Sequence, residues 1–194
     1  MALTPLSQAL PQILATIQSL PDTEAVTLAD AVGRYAAKVV RSSLAVPPAD
    51  NSAMDGYAVR AQDVPGDLAI SQRVPAGQVP DSLAPGTAAR IFTGAEIPVG
   101  ADAVILQEDA EPLSEGVYLP AAREGQHIRR RGSDIQVGDQ LIALGHCLQP
   151  QDIALLASVG IDTIEVYRPL RVAIMTTGDE LREPGSGCLQ PGEI

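Results

Sequence analysis

The sequence predicts a multidomain, mixed α+β and mostly β protein, with helical ends, a middle built as a small β-barrel or sandwich, and the first strand of a truncated α/β domain. Three observations predict it. Apolar residues recur at helical spacing near the start and again after Pro150, and between these regions Pro and Gly punctuate short β-type runs every several residues. Near the end, Val172 to Thr176 is apolar without alternation, as in a strand buried on both faces of a parallel sheet.

The first element is a helix over the stripe Leu10, Ile13, Leu14, Ile17 and Leu20, with Ser7 as N-cap, Pro11 confined to the first turn, and Pro21 as its stop. Thr27 caps a short helix from Leu28 to Val32 that Gly33 ends, and Tyr35 to Val40 reads as extended. Short strands follow at Tyr57 to Arg60, Ala88 to Phe92, Ala103 to Gln107, Val117 to Leu119 and Gln126 to Ile128. Val137-Gly138-Asp139 turns the chain into Gln140 to Ala143. Pro150 then opens a helix carrying Ile153, Leu155, Leu156 and Val159, Gly160 stops it, and Ile161 to Val166 is a strand. A parallel strand at Val172 to Thr176 requires a crossover and a neighbour, yet only 14 residues follow Glu180. The chain is therefore expected to stop inside the first loop of a third, α/β domain.

Composition narrows the function. Of 194 residues 45% are hydrophobic and 3% aromatic, with no Trp and one Phe, so the core is built from Leu, Val, Ile and Ala. The net charge of −11 opposes attraction to nucleic acid or to an anionic membrane. Cys147 and Cys188 lie far apart and outside any zinc-type spacing, and His146 beside Cys147 lacks further ligands. Met1 to Leu10 has no leader pattern and no stretch has the length of a membrane span, which together suggest a cytoplasmic protein.

Four loops carry candidate chemistry. Asp50-Asn51-Ser52-Ala53-Met54-Asp55-Gly56 packs acids and hydroxyls ahead of a strand; Asx turns would explain it structurally, while Asp55 held by Gly56 can aim a carboxylate at a cation or leaving group. Thr93-Gly94 ends a strand with a hydroxyl and a turn whose amides can face an oxyanion. Arg129-Arg130-Arg131-Gly132-Ser133-Asp134 is either a solvated charge run or an anion site. Thr176-Thr177-Gly178-Asp179-Glu180 stands at the carboxyl end of the expected parallel strand, where open α/β sheets place ligands, although one acid can be a helix cap. With no P-loop and no nucleophile pair, metal-assisted phosphate chemistry fits this inventory.

These segments, with Val104-Ile105-Leu106-Gln107-Glu108 between them, resemble in order and separation the molybdopterin molybdenumtransferase family, which includes the corresponding domain of gephyrin. The resemblance implies an elongated α+β first domain (residues 1–46 and 137–168) used in dimerisation. It further implies an inserted β domain (47–136), the start of a truncated α/β domain (169–194), and an absent fourth domain. It implies an enzyme that places molybdenum from molybdate on adenylated molybdopterin with release of AMP and with Mg2+ as helper ion. By similarity Asp55, Thr93, Asp134 and Glu180 fall on site positions, and Ser52 and Arg129 are neighbouring candidates for substrate binding. Asp55 and Glu180 are the expected metal ligands, Asp134 helps to orient the hydrated ion, Thr93 bonds a phosphate or pterin oxygen, and Arg129 neutralises anionic charge. A homodimer is implied, with the site between one subunit's β domain and the other's third domain; a molybdopterin adenylyltransferase is a candidate partner. The chain alone is expected to be inactive. Two other readings share the inventory: a scaffold that only dimerises or binds partners, and a carbohydrate-acting enzyme with paired carboxylates, against which the scarcity of aromatics argues.

Overall fold

The computed structural model describes residues 4–17 and 19–194, so the part of the leader reading that rests on Met1 to Leu3 falls outside it. Helix α1, Leu6–Leu14, is shorter than its apolar stripe. Pro5 rather than Ser7 takes the N-cap position, which leaves Pro11 inside the helix instead of in its first turn, where its missing N–H weakens the middle. Past Leu14 the backbone tightens to i→i−3 bonds, Thr16 to Ile13 and Ile17 to Leu14, and the helix does not extend to Pro21. None of its residues is buried, and Leu6, Leu10, Ile13 and Leu14 are exposed.

The strands, in chain order, are β1 (Thr23–Thr27), β2 (Val40–Arg41), β3 (Asn51–Ser52), β4 (Gly56–Val59), β5 (Gly66–Val74) and β6 (Thr87–Ile91). They continue with β7 (Ala103–Leu106), β8 (Glu111–Leu113), β9 (Gly116–Leu119), β10 (Ile128–Arg129), β11 (Gln140–Ile142) and β12 (Thr163–Tyr167); helix α2, Pro150–Ser158, precedes β12. β1 pairs antiparallel with β12, Thr23 opposite Tyr167 and Thr27 opposite Thr163, and β2 pairs with β11. The two ends of this stretch are thus zipped together while everything from β3 to β10 leaves and returns between them. Their shared core is Ala31, Ala36, Ile142, Leu148, Leu156, Ile164 and Val166. Each large aliphatic side chain buried there stabilises by roughly 1.5–3 kcal/mol before chain entropy is counted. The helix expected at Leu28 to Val32 is a single 3₁₀ turn, Leu28–Asp30, because the Thr27 hydroxyl bonds the Asp30 carboxylate and not a backbone amide.

The excursion builds a six-stranded sheet in the order β7-β4-β6-β5-β9-β8. Its strands β4, β6 and β7 are apolar on successive residues because both faces are covered there. Val59, Ala88, Ala103, Ile105, Val117 and Leu119 face one core, while Ala58, Ala89, Ile91 and Val104 face the other. β5 runs parallel to β6, and all other pairings in the sheet are antiparallel. A short ladder, β3 with β10, stands at its neck, Ser52 opposite Ile128 and Asn51 opposite Arg129.

The strand expected at Val172 to Thr176 does not form. Val172, Ile174 and Met175 are exposed, and among the described residues no strand pairs with this segment, so its amides lack the ladder that would hold it extended. No helix of the described residues is long and apolar enough to cross a membrane.

Candidate functional site

The site grows from one tight contact. Gly56 lies so close to β7 that a β-carbon placed on it would stand 1.9 Å from the Ile105 carbonyl oxygen, so the loop before it can enter the sheet only through glycine. Asp55 is thereby fixed at the end of β4, beside the end of β6. Its Oδ1 accepts both the Thr93 amide and the Thr93 hydroxyl, each at 2.7 Å. The backbone bond is the larger cause, and the hydroxyl bond and the charge of Arg90 add to it, holding the Asp55 carboxyl below the usual aspartate range; partial burial opposes them. Asp55 therefore stays ionised at neutral pH, with Oδ2 making no hydrogen bond among the described residues.

This arrangement alters two expectations. The Thr93 proton is given to Asp55, so toward a ligand its hydroxyl is an acceptor. The amides of the turn are also committed inside the protein, Thr93 to Asp55, Gly94 to the Ser52 carbonyl at 2.8 Å and Ala95 to the Phe92 carbonyl at 2.9 Å, so the turn is not an oxyanion nest. Ser52 is buried, and its hydroxyl bonds the Met54 carbonyl at 2.5 Å; it shapes the Asp55 loop and turns away from solvent.

The arginine run is largely paired. Arg129 meets Asp134 at 2.6 Å, and the Ser133 hydroxyl donates to the other Asp134 oxygen at 3.1 Å. Arg130 meets Asp50 at 2.6 Å, while the Arg131 amide donates to the same carboxylate at 2.7 Å. That amide is the main reason the Asp50 carboxyl lies below its ordinary range; burial opposes it, and Arg130 adds to it. Because Asn51 pairs with Arg129 across the neck ladder, the Asp50–Asp55 loop, the Thr93 turn and the Arg129–Asp134 turn belong to one loop cluster.

Glu180 makes its contacts within its own segment. Its carboxylate folds over its own loop, where a β-carbon on Gly178 would lie 2.6 Å from it, and its carbonyl accepts the Ile194 amide at 2.8 Å. Among the described residues no three acidic, His or Cys side chains gather at metal-holding distance. Glu180 lies in the segment after Arg168, where no helix or strand forms among the described residues. The His146 ring bonds Asp152 at 2.7 Å, and Asp152 in turn caps α2 by accepting the Gln149 amide at 2.8 Å. Both cysteines are free thiols.

A cavity of about 530 Å³ is lined by Pro21, Arg34, Tyr35, Tyr167 and Leu170 and includes none of the four loops. A cleft of about 240 Å³ between Pro48, Asn51, Gln78, Gly94 and Glu96 adjoins the Thr93 turn and is the better placed for chemistry. Sequence reasoning assigns no site role to Arg90, nor to Gln107 beyond its place in the Val104–Glu108 run. A charged side chain inside the apolar strand Ala88-Ala89-Arg90-Ile91-Phe92 was the available signal.

Known proteins share this sequence and fold. The family described as MoeA N-terminal region (domain I and II) matches residues 4–160. A molybdopterin molybdenumtransferase of Nostoc sp. is 42% identical over 191 residues, covering 94% of this chain and 44% of that protein. One from Haemophilus influenzae is 39% identical over 194 residues, covering 97% and 48%. A molybdopterin biosynthesis moeA protein from Pyrococcus horikoshii OT3 superposes with a TM-score of 0.89 at 36% identity, covering all of this chain and 54% of that one. The chain thus spans about half the length of the curated relatives it matches.

Proposed function

From the premise that this chain belongs to the MoeA N-terminal region family, we propose that it supplies the first two domains of a molybdopterin molybdenumtransferase. Residues 1–46 and 137–168 form the outer, dimerising domain, 47–136 the inserted β domain, and 169–194 the start of a third. The reaction is insertion of molybdenum from molybdate into adenylated molybdopterin with release of AMP, carried out in the cytoplasm by a homodimer that receives its nucleotide from a molybdopterin adenylyltransferase. The relatives' names support the chemistry, and the observation that carries it to residues is the Asp55–Thr93 pair: an ionised carboxylate with one oxygen anchored and the other open.

That donor set suits Mg2+, which keeps most of its water and is held by one or two carboxylates together with substrate phosphate oxygens. Asp55 Oδ2 would hold it, and Glu180 would join from the partner's third domain; the ion would supply charge to stabilise the departing phosphate. The chain's own residues do the remaining work. Thr93 keeps Asp55 from swinging toward solvent. Arg129 and Asp134 form a balanced pair at the same loop cluster, able to open toward an anionic substrate without leaving a buried charge unpaired, since both are about half exposed.

The 194 residues alone do not insert molybdenum, because Glu180 has no sheet behind it. The test is complementation of cells lacking the family's enzyme with the protein that carries this chain. Wild type is expected to restore molybdoenzyme activity and Asp55→Ala to fail. Restoration by Asp55→Ala, or molybdate-dependent AMP release by residues 1–194 alone, would count against the proposal, and the former would favour the scaffold reading.

A further inference from the structure

We propose that Arg90 is the positioning residue of the Asp55–Thr93 pair, its guanidinium holding the Gly56 carbonyl, the Ile91 carbonyl and the Gln107 amide oxygen and so fixing at once the three segments on which the pair stands. The inference rests on the functional reading above only for its catalytic consequence. One nitrogen of Arg90 donates to the carbonyls of Gly56 and Ile91, each at 2.8 Å, and the other terminal nitrogen donates to Gln107 Oε1. Gly56 follows Asp55, Ile91 precedes Thr93 by two residues, and the Gln107 amide closes the triangle by donating to the Asp55 carbonyl at 3.1 Å. The plane of the guanidinium is held as well, 4.5 Å from the centre of the Phe92 ring and 5.4 Å from that of Tyr57.

A role in packing alone does not account for this residue. Arg90 is half-buried in a strand whose neighbours, Ala89 and Ile91, are fully buried, and an apolar side chain would fill the place without the desolvation that a cation incurs. All its hydrogen-bond acceptors are neutral and it forms no direct ion pair among the described residues, so its charge acts on the ionised Asp55 without occupying it. Lysine cannot reproduce the fork, because the acceptors are divided between two nitrogens of a rigid guanidinium and a single ammonium nitrogen cannot stand at both places.

Arg90→Gln and Arg90→Lys test the assignment in two ways. In 15N–1H spectra of the chain, the Thr93 amide proton should lie downfield because it donates to a carboxylate at 2.7 Å, and both variants should lose that displacement and exchange faster, with the rest of the spectrum retained. In the protein carrying the chain, kcat for molybdenum insertion should fall by about 100-fold with KM within a few-fold, and Arg90→Lys should not rescue it. Wild-type Thr93 shift and kcat in Arg90→Lys would overturn the proposal, as would loss of the whole fold in both variants, which would assign Arg90 to stability alone. If instead the Thr93 signal moves as expected while Asp55→Ala retains full activity, the positioning stands and the functional reading falls.

Discussion

Asp55 Oδ1 takes two hydrogen bonds from a single residue, and much of the site's behaviour follows from that. Because its folded pKa lies below its unfolded one, Asp55 contributes stability that is fully present above the unfolded value and disappears as pH falls through the folded one. Thr93→Val removes the smaller of the two bonds and keeps the backbone donor, so the Asp55 carboxyl should titrate between its wild-type position and the ordinary value. A carbon-detected NMR titration of both proteins reads this directly, and an unmoved Asp55 would show that the hydroxyl does not matter. Gly56 gives a prediction of larger size: Gly56→Ala drives a methyl into the Ile105 carbonyl and should cost about 3 kcal/mol or more in urea unfolding, since backbone cannot yield as a side chain can. Asp55 and Thr93 were candidates in the sequence, a carboxylate and a hydroxyl each beside a glycine at a strand end, and it was the family resemblance that singled them out from ordinary turn residues. Their mutual bond was not legible, since nothing local relates residues 38 apart in the chain.

At the scale of elements, local signals were read correctly where they were strong. Helix α2 begins with Pro150 and is capped by Asp152, whose carboxylate collects the Gln149 amide and the His146 ring; Asp152→Ala should cost about 1 kcal/mol by thermal or urea unfolding. The stop at Gly160 also appears where expected, at positive φ just past α2, whereas Gly33, though at positive φ, lies beyond a turn that already ends at Asp30. The misses share a cause, which is that tertiary neighbours decide the outcome. β5, Gly66–Val74, shows little apolar alternation because few of its side chains are buried, so it carried no periodic signal despite being nine residues long. Val172 to Thr176 had the opposite fault, an apolar pattern with no partner strand among the described residues.

Across the whole molecule, the plan of helical ends around a β-rich excursion was visible from the alternation of periods along the chain, whereas the parallel β5–β6 pair and the two-faced sheet were not, because sheet order is set by contacts distant in sequence. The unburied apolar face of α1 and the exposed segment after Arg168 are surfaces that the proposed dimer and third domain would cover, and a homodimer in solution by light scattering is the expected state of the protein carrying this chain. The central claim, that the ionised carboxylate anchored by Thr93 acts in molybdenum insertion, is tested most directly by one rate. Molybdate-dependent AMP release from adenylated molybdopterin should fall by about 100-fold or more in Asp55→Asn, with the unfolding midpoint close to that of the parent protein. An undiminished rate in a folded Asp55→Asn protein would contradict it.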